Sequence, residues 1–427
     1  MVTERNQQGE TGPGEPLRLV IVGAGNRGST YARLATASGR ARVVAVAEPR
    51  DARREALAAE LGVDADSCVA DWRELAARPR FADAVTVTTL DHDHVEPAVA
   101  FAERGYHLLL EKPMATSEAD CLRIVNAVER AGVTCAVCHV MRYTPYSRAL
   151  DTLLDAGRIG GVVGIEHLEP VGWWHHAHSF VRGNWHRSEV GPMLMTKSCH
   201  DIDWLASVAG TRVRRGSSFG ALHHFRPENA PAGATERCLD CPAEPACPYS
   251  ARKIYLDRTP EERRRWPVSV VSHDPSDQAL TRELREGPYG RCVYSGDNDV
   301  VDHQVVSLEY EGGMTASFTM TAFAEAAHRK TRIFGTHGRI EGDGVHLSVL
   351  DFRDGTTETI DAHAGGDATA AGGHGGGDGG IVTAFLDALA TGEPGHIRTS
   401  PRDSLASHRV VWAAERARHT GTVVTLD

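Results

Sequence analysis

Leu19-Val20-Ile21-Val22-Gly23-Ala24-Gly25-Asn26-Arg27-Gly28 reads as a buried strand, a glycine turn and the start of a helix. Four consecutive apolar residues, Leu19 to Val22, suit a central parallel strand covered on both faces. Gly23, Gly25 and Gly28 then form G-x-G-x-x-G. The first glycine permits a tight turn, the second lets a pyrophosphate approach the backbone, and the third lets the helix pack against the strand. The helix start offers unpaired N–H groups to an anion. A second strand, Val43–Ala47, follows the helix Ser29–Ala37 and ends in Glu48, 20 residues past Gly28. A carboxylate there suits the ribose hydroxyls of NAD. A dinucleotide site is the expectation, with a glycine turn used only for packing as its competitor.

Outward from this stretch, strands and helices alternate as far as His139. Strands are expected at Ala84–Thr88, His107–Leu110 and Thr134–Cys138, and helices at Glu55–Leu61, Trp72–Ala77, His92–Arg104 and Ser117–Ala131. Such alternation predicts a doubly wound parallel sheet whose ligands bind beyond the C-terminal strand ends. Asp91, Glu111-Lys112-Pro113 and His139 lie at those ends. After a helix over Tyr146–Ala156 the character changes. Strand-like runs at Val162–Leu168, Val213–Leu222, Val301–Tyr310, Met314–Thr321, Lys330–Phe334, Arg339–Glu341 and Val345–Leu350 are joined in part by tight turns. Consecutive hairpins predict a mainly antiparallel sheet. Its open face suggests a homo-oligomer, a dimer or tetramer. Helices over Ile381–Leu389 and Ser404–His419 close the chain. The expected organisation is a disordered tail over 1–16, an α/β Rossmann domain over 17–145, and an α+β substrate and oligomerisation domain over 146–427. The last carries a cysteine-containing insertion near 226–295.

Composition narrows the function. The chain has 427 residues and a formal net charge of -11, which gives no broad electrostatic case for nucleic acid or an anionic membrane. No apolar run reaches the length of a membrane span. The first 16 residues lack a signal-peptide core, so a reducing cytoplasm is expected. There the nine cysteines are thiols or metal ligands rather than disulfides. Cys238-x-x-Cys241, Cys247-Pro248 and the distant Cys292 offer four thiolates. A C-x-x-C pair is good zinc geometry, and a segment with little apolar periodicity would gain a core from the metal. Structural zinc is the leading reading, against an iron–sulfur cluster or unligated thiols. Cys68, Cys121, Cys135 and Cys138 read as buried small hydrophobes.

Gly23–Gly28 with Glu48, and above all Glu111-Lys112-Pro113-Met114-Ala115, make the chain resemble the glucose–fructose oxidoreductase / inositol dehydrogenase / MocA (Gfo/Idh/MocA) family over nearly all of residues 17 to 427. The resemblance implies a Rossmann domain followed by an α+β domain with a large open sheet. It also implies NAD-dependent oxidation or reduction of a ring hydroxyl of a sugar, sugar derivative or cyclitol. The E-K-P lysine of the family sits near the nicotinamide and the reacting hydroxyl, a role that falls on Lys112. The chemistry agrees, since a partly desolvated lysine can take a hydroxyl proton or steady the oxygen left behind. The family's substrate-domain helix usually carries an Asp and, four residues later, a His. Here His200 matches the histidine, but Thr196 stands where the acid is expected, with Lys197 beside it. His200 is the expected general base, Lys197 a second cation, and Tyr143 a candidate acid.

The cofactor-binding set expected on this basis is Gly23, Gly25, Asn26, Arg27, Gly28, Glu48, Arg50, Thr89, His94, Glu111 and Lys112. The loop Trp173–His186, dense in His and Trp and carrying Arg182 and Asn184, has the make-up of a polar-ligand pocket. His176, His178, Arg182 and Trp185, with Thr196, are its expected substrate contacts, Arg182 suiting an anionic substituent. His374 and Asp378 in the glycine-rich stretch 365–380 read as a linker or a lid. Some relatives of the family cleave glycosides by transient oxidation at C3, elimination, hydration and re-reduction, which stands as the alternative activity. A nucleotide-sensing regulator is a third reading.

Overall fold

The computed structural model describes residues 15–362 and 375–426. Residues 1–14 of the expected tail, and His374 with most of the glycine-rich stretch, lie outside the described residues. The chain divides into two compact units. One takes the chain to Asp155, with Cys199–Val208 and Asp361–Arg409. The other takes Ala156–Ser198, Ala209–Ile360 and Val410 onward.

The first unit alternates strand and helix: β1 (Leu17–Val22), α1 (Asn26–Ala37), β2 (Ala41–Ala47), α2 (Asp51–Leu61), β3 (Cys68–Val69), α3 (Trp72–Ala76), β4 (Ala84–Val87), α4 (Val95–Ala102), β5 (His107–Leu110), α5 (Glu118–Ala131), β6 (Cys135–Val137) and α6 (Pro145–Asp155). The six strands run parallel in the order β3-β2-β1-β4-β5-β6. Order reverses between β1 and β4, the place where such sheets take a nucleotide. The all-apolar run of β1 follows from its position, since Val20, Ile21 and Val22 are buried between layers of helices. Ser117 caps α5, its hydroxyl accepting the Asp120 N–H, and Gly132 ends that helix at a φ of +65°.

The second unit carries β7 (Val162–Pro170), α7 (Trp173–His176), α8 (Met193–Thr196), β8 (Val213–Ala221), α10 (Pro260–Arg263), α11 (Val268–Val271), α12 (Asp277–Glu286), β9 (His303–Tyr310), β10 (Thr315–Thr321), β11 (Lys330–Gly335), β12 (Gly338–Gly342), β13 (His346–Asp351), β14 (Thr357–Asp361) and β15 (Val424–Thr425). Its nine strands are ordered β14-β13-β12-β11-β7-β10-β9-β8-β15. β7 and β10 pair parallel, while β8–β9, β9–β10, β7–β11, β11–β12 and β12–β13 pair antiparallel. Period-two burial marks one covered face: Val306, Leu308 and Tyr310 of β9 and Ala316, Phe318 and Met320 of β10 are buried, while Ser307 and Ser317 are exposed.

The helical run expected around His200 is two helices. α8 stops at Thr196, and α9 (Cys199–Ala209) starts three residues later. Lys197 and Ser198 interrupt it, so Thr196 and His200 do not share one helical face. The C-terminal helices α13 (Gly377–Thr391) and α14 (Pro401–Thr420) are longer than their apolar spacing suggested. The insertion between β8 and β9 also departs from expectation. It has an apolar core of its own, in which Phe225, Tyr249, Ile254, Tyr255, Leu280 and Leu284 are buried. Irregular spacing hid it, because the segment is built of short helical turns rather than one periodic element.

Candidate functional site

The site begins at the glycine turn. Gly23 holds φ +94°, and a Cβ there would stand 2.6 Å from the Thr88 carbonyl oxygen. A Cβ on Gly28 would stand 1.9 Å from the Gly23 carbonyl oxygen. These two glycines are demanded by packing. Gly25 differs, since its Cβ would meet nothing nearer than an Arg53 guanidinium nitrogen at 3.7 Å. The turn is thus closed on the protein side and open at the position where a pyrophosphate would approach. Glu48 is buried at the C-terminal end of β2 and accepts N–H bonds from Ala24 (2.9 Å) and Arg50 (3.1 Å). Its carboxylate stands against the turn. Asn26 opens α1, Thr89 follows β4, and Arg50 is exposed before α2.

Three members of the expected cofactor set are turned elsewhere. Arg27 donates from Nε to Glu111 Oε1 (2.6 Å) and from Nη1 and Nη2 to Asp378 (3.0 and 2.6 Å), and it also bonds Tyr31. Glu111 is buried, takes the Tyr31 hydroxyl at 3.1 Å and receives the Lys112 backbone N–H at 2.5 Å. Burial opposes its ionisation, but Arg27 and Lys112 outweigh burial and hold its carboxyl below the usual range. His94 is fully buried, with Nδ1 2.8 Å from the Pro113 carbonyl oxygen. These groups hold the Glu111-Lys112-Pro113 turn. The Lys112–Pro113 peptide is cis.

Lys112, half-buried after β5, shares its unit with three histidines. His139 follows β6, His200 is in the first turn of α9, and His408 comes from α14. The His139 ring packs edge-on to His200 at 5.8 Å and to His408 at 5.6 Å between centroids. His408 Nε2 accepts the Met114 N–H at 3.0 Å, so that nitrogen carries no proton. Burial first, then the charge of Arg142 and Lys112, pushes the His139 imidazole down to about 3. His408 is likewise pushed down to about 3 by burial, then by His139. Lys112 also bears electrostatically on Cys199, the neighbour of His200. Below this cluster, fully buried Asp203 accepts a fork of bonds from Arg142 Nε (2.6 Å) and Nη2 (2.7 Å), and its carboxylate lies 4.0 Å from His139 Nδ1. His139 was expected only as a residue at a ligand-facing strand end, and His408 was not among the expected site residues.

Tyr143 is corrected from candidate acid to structural residue. It is buried, its hydroxyl pairs with Thr399 Oγ1 (2.9 Å) and accepts the Arg398 N–H (2.8 Å), and burial pushes its phenol up.

In the second unit, the histidine-rich loop folds inward. His176 is fully buried and stacks on Phe225 at 5.2 Å. His178 bonds the Tyr255 hydroxyl through Nδ1 at 2.9 Å and stacks on Tyr289 at 4.9 Å. Arg182 donates to the carbonyls of Arg291 (2.7 Å) and Tyr249 (2.8 Å) and to Cys238 Sγ (3.3 Å). All three were expected to touch substrate; they are buried against the insertion and its core instead. Their residue types suit a pocket equally well, which is why composition misled. Trp185 is half-buried beside Phe180, and the Thr196 hydroxyl donates to the Pro192 carbonyl within its own turn. Lys197 pairs with buried Glu169 (3.3 Å), which also holds Arg329 (2.5 Å).

The four cysteines of the insertion do line one small cavity, with Arg182, Glu244 and Tyr294. Yet among the described residues no three His, Cys, Asp or Glu side chains are placed to hold a metal ion together. The arrangement does not support structural zinc. The Arg182 guanidinium lies against Cys238, and the apolar core described above supplies the cohesion. Cys121 and Cys135 are pushed up to about 12 by burial, as thiols packed like small hydrophobes.

The buried histidines make the fold acid-sensitive. His139, His408, His176 and His178 all sit near 3, against about 6.5 in an unfolded chain. As pH falls through 6.5 the unfolded state takes protons that the folded state refuses, so stability is full above about pH 7 and lost below it. The urea midpoint should drop between pH 7.5 and 5.5, each histidine costing about 1 kcal/mol over the lower pH unit. A midpoint that does not move would mean these rings are solvated.

Among the described residues no helix is long and apolar enough to cross a membrane. Comparison with known proteins gives two family matches. The oxidoreductase family, NAD-binding Rossmann fold, matches residues 17–139, and the oxidoreductase family, C-terminal alpha/beta domain, matches residues 152–426. Inositol 2-dehydrogenase 1 of Saccharopolyspora erythraea is 38% identical over 151 residues, 34% of this chain and 44% of that protein. The scyllo-inositol 2-dehydrogenase (NAD(+)) of Bacillus subtilis is 31% identical over 213 residues, 48% of this chain and 58% of that protein. The matched stretches thus span less than two thirds of either relative's length. A levoglucosan dehydrogenase solved with NADH and levoglucosan superposes with a TM-score of 0.70 at 18% identity, covering 96% of this chain and 99% of that one. At that identity the likeness is one of fold.

Proposed function

We propose that this chain, which belongs to the Gfo/Idh/MocA oxidoreductase family, is an NAD-dependent enzyme acting on a ring hydroxyl of a sugar, sugar derivative or cyclitol. NAD, when bound, supplies the hydride acceptor. The backbone around Gly25 binds its pyrophosphate, and Glu48 takes the ribose hydroxyls and disfavours a 2′-phosphate. Lys112 binds the reacting hydroxyl oxygen and shares removal of its proton with His200. Neutral His139 and His408 pack beside them and keep water from the amine. One observation carries this reading: Lys112 and His139 follow the adjacent strands β5 and β6, and the His139 ring packs on His200 and on His408, so an amine and three imidazoles gather at these C-terminal strand ends. The inositol dehydrogenase relatives support the substrate class.

The test is incubation with NAD of a panel of sugars, cyclitols and glycosides, following NADH absorbance and released aglycone together. NADH formed in step with substrate, without aglycone, is the expected result. Aglycone released with no net NADH would instead assign transient oxidation and glycoside cleavage. Neither signal, with NAD still bound, would overturn the enzymatic reading. The open face of the nine-stranded sheet, where Phe219 stays 68% exposed and Val423 61%, supports a homo-oligomer.

A further inference from the structure

Cys238, Cys241, Cys247 and Cys292 surround one cavity of about 20 Å³ in the second unit. Two of them stand apart from the other two. Cys238–Asp240 is a single tight turn, closed by the Cys241 N–H on the Cys238 carbonyl at 3.3 Å. A turn closed from i to i+3 keeps its end Cα atoms within about 7 Å, and a disulfide spans Cα atoms about 4.4 to 6.8 Å apart. The C-x-x-C pair can therefore close within its own turn. Burial pushes the Cys247 thiol up, which holds it as S–H. Arg182 marks out Cys238 within the pair. It is 4% exposed and lines the same cavity. Nη2 donates to Cys238 Sγ at 3.3 Å and to the Tyr249 carbonyl at 2.8 Å, and Nε to the Arg291 carbonyl at 2.7 Å. Nη1 is buried with no hydrogen-bond partner among the described residues. An unmet buried donor is costly, and the complement of a guanidinium N–H beside a sulfur is an oxygen on that sulfur. Cys241 is half-buried, so the cavity wall meets solvent at the second thiol.

We infer that Cys238 and Cys241 are a peroxide-responsive dithiol, a modification site in which Arg182 receives the oxygen delivered to Cys238. The Cys238 sulfur attacks one oxygen of hydrogen peroxide, the O–O bond breaks, and the other oxygen leaves as water with the Cys238 proton. Arg182 Nη1 donates to the oxygen now on sulfur. The Cys241 sulfur then attacks the Cys238 sulfur. An S–S bond forms, the S–O bond breaks, and the oxygen leaves as a second water with the Cys241 proton. Two thiols lose two electrons in all, and one peroxide is reduced to two waters. A cavity of this size suits so small an oxidant and excludes a bulky disulfide reagent. The site is independent of the activity proposed above, and its test needs no substrate.

The full-length protein is treated with hydrogen peroxide, blocked with N-ethylmaleimide in denaturant and digested with trypsin without reduction. Cys238, Cys241 and Cys247 share one peptide, residues 238–252, and Cys292 falls in another. Untreated protein should carry three labels on the first peptide. Peroxide should lower this to one, placed on Cys247 by fragmentation, with Cys292 still labelled, and dithiothreitol should restore all three. With dimedone present, Cys241→Ser should trap the sulfenic acid on Cys238, and Cys238→Ser should give no adduct on Cys241. In Arg182→Lys, which keeps the charge and loses the fork, disulfide formation should slow about fivefold or more, with labelling of the denatured protein unchanged. If that variant does not fold, the cysteine variants decide. Three labels kept after peroxide overturn the inference, as does a bridge to Cys247 or Cys292, or a dimedone adduct confined to Cys241. A stoichiometric metal ion released on denaturation, with thiols inert to peroxide until a chelator is added, would also overturn it.

Discussion

Replacing Lys112 with methionine is expected to lower kcat by about 10³-fold while leaving NADH affinity within a few-fold of the parent. Methionine keeps an unbranched stem of similar length, so packing after β5 is retained and the loss reports on the amine alone. The size follows from what a positioned proton-transfer group contributes, about 10² to 10⁴ in rate. Binding is expected to survive because the groups proposed for the pyrophosphate and the ribose are the backbone at Gly25 and the Glu48 carboxylate, which bonds the Ala24 N–H and not the lysine. The measurement is fluorescence titration of NADH beside steady-state rates on whichever substrate the panel finds. A variant with unchanged kcat would move the chemistry to His200. A variant that loses NADH binding and kcat together would make Lys112 a cofactor residue and nothing more. His200→Asn in the same assay separates the two groups, since the amine and the imidazole act on one proton and their losses should combine less than additively.

How much of this was written plainly in the chain depends on the range over which each feature is encoded. The run Leu19–Val22, the glycine turn and Glu48 are local, and each carries its own physical signature: unbroken apolarity, absent Cβ atoms, and a carboxylate at a strand end. The parallel sheet was therefore legible. The histidine cluster is not local. His139, His200 and His408 come from a strand end and two helices more than 60 residues apart from one another, and no spacing relates them. Only the fold shows that Arg142 meets Asp203 while its neighbour Tyr143, the candidate acid, bonds Thr399.

The histidine-rich loop failed for a different reason. Side chains with an apolar ring and a polar edge suit a sugar pocket, and they suit equally well a core built from aromatic stacking with a few satisfied polar atoms. His178 does the second, stacking on Tyr289 and bonding Tyr255. The spacing of Cys238, Cys241 and Cys247 did place thiols around one cavity, as a C-x-x-C pattern should. Spacing could not report the arginine that lies against them. Nor could it show that α8 and α9 are separate helices, because the interruption at Lys197 has no glycine or proline to mark it.

The second large effect is expected at Asp203, and it concerns stability. Asp203→Ala should destabilise the fold by about 3–5 kcal/mol, the typical cost of removing one partner of a buried ion pair. The carboxylate is fully buried and forks to Arg142, whose Nη1 also donates to the Arg398 carbonyl at 3.0 Å. Deleting the carboxylate leaves that guanidinium charged and without its counter-ion in a site from which water is excluded. Burial already pushes the Asp203 carboxyl up against the pull of Arg142, so the pair is held at a desolvation cost that only mutual attraction offsets. Removing both charges should then be far milder than removing one. Arg142→Met with Asp203→Leu is expected to recover most of the loss, measured as urea midpoints of the single and double variants. If the double variant is as unstable as Asp203→Ala, the pair is not a charge-compensating unit, and what Asp203 supplies is shape. If instead stability returns but turnover does not, the pair has a second task. With its carboxylate 4.0 Å from His139, and His200 one turn earlier on α9, Asp203 then sets the orientation of the imidazoles beside Lys112.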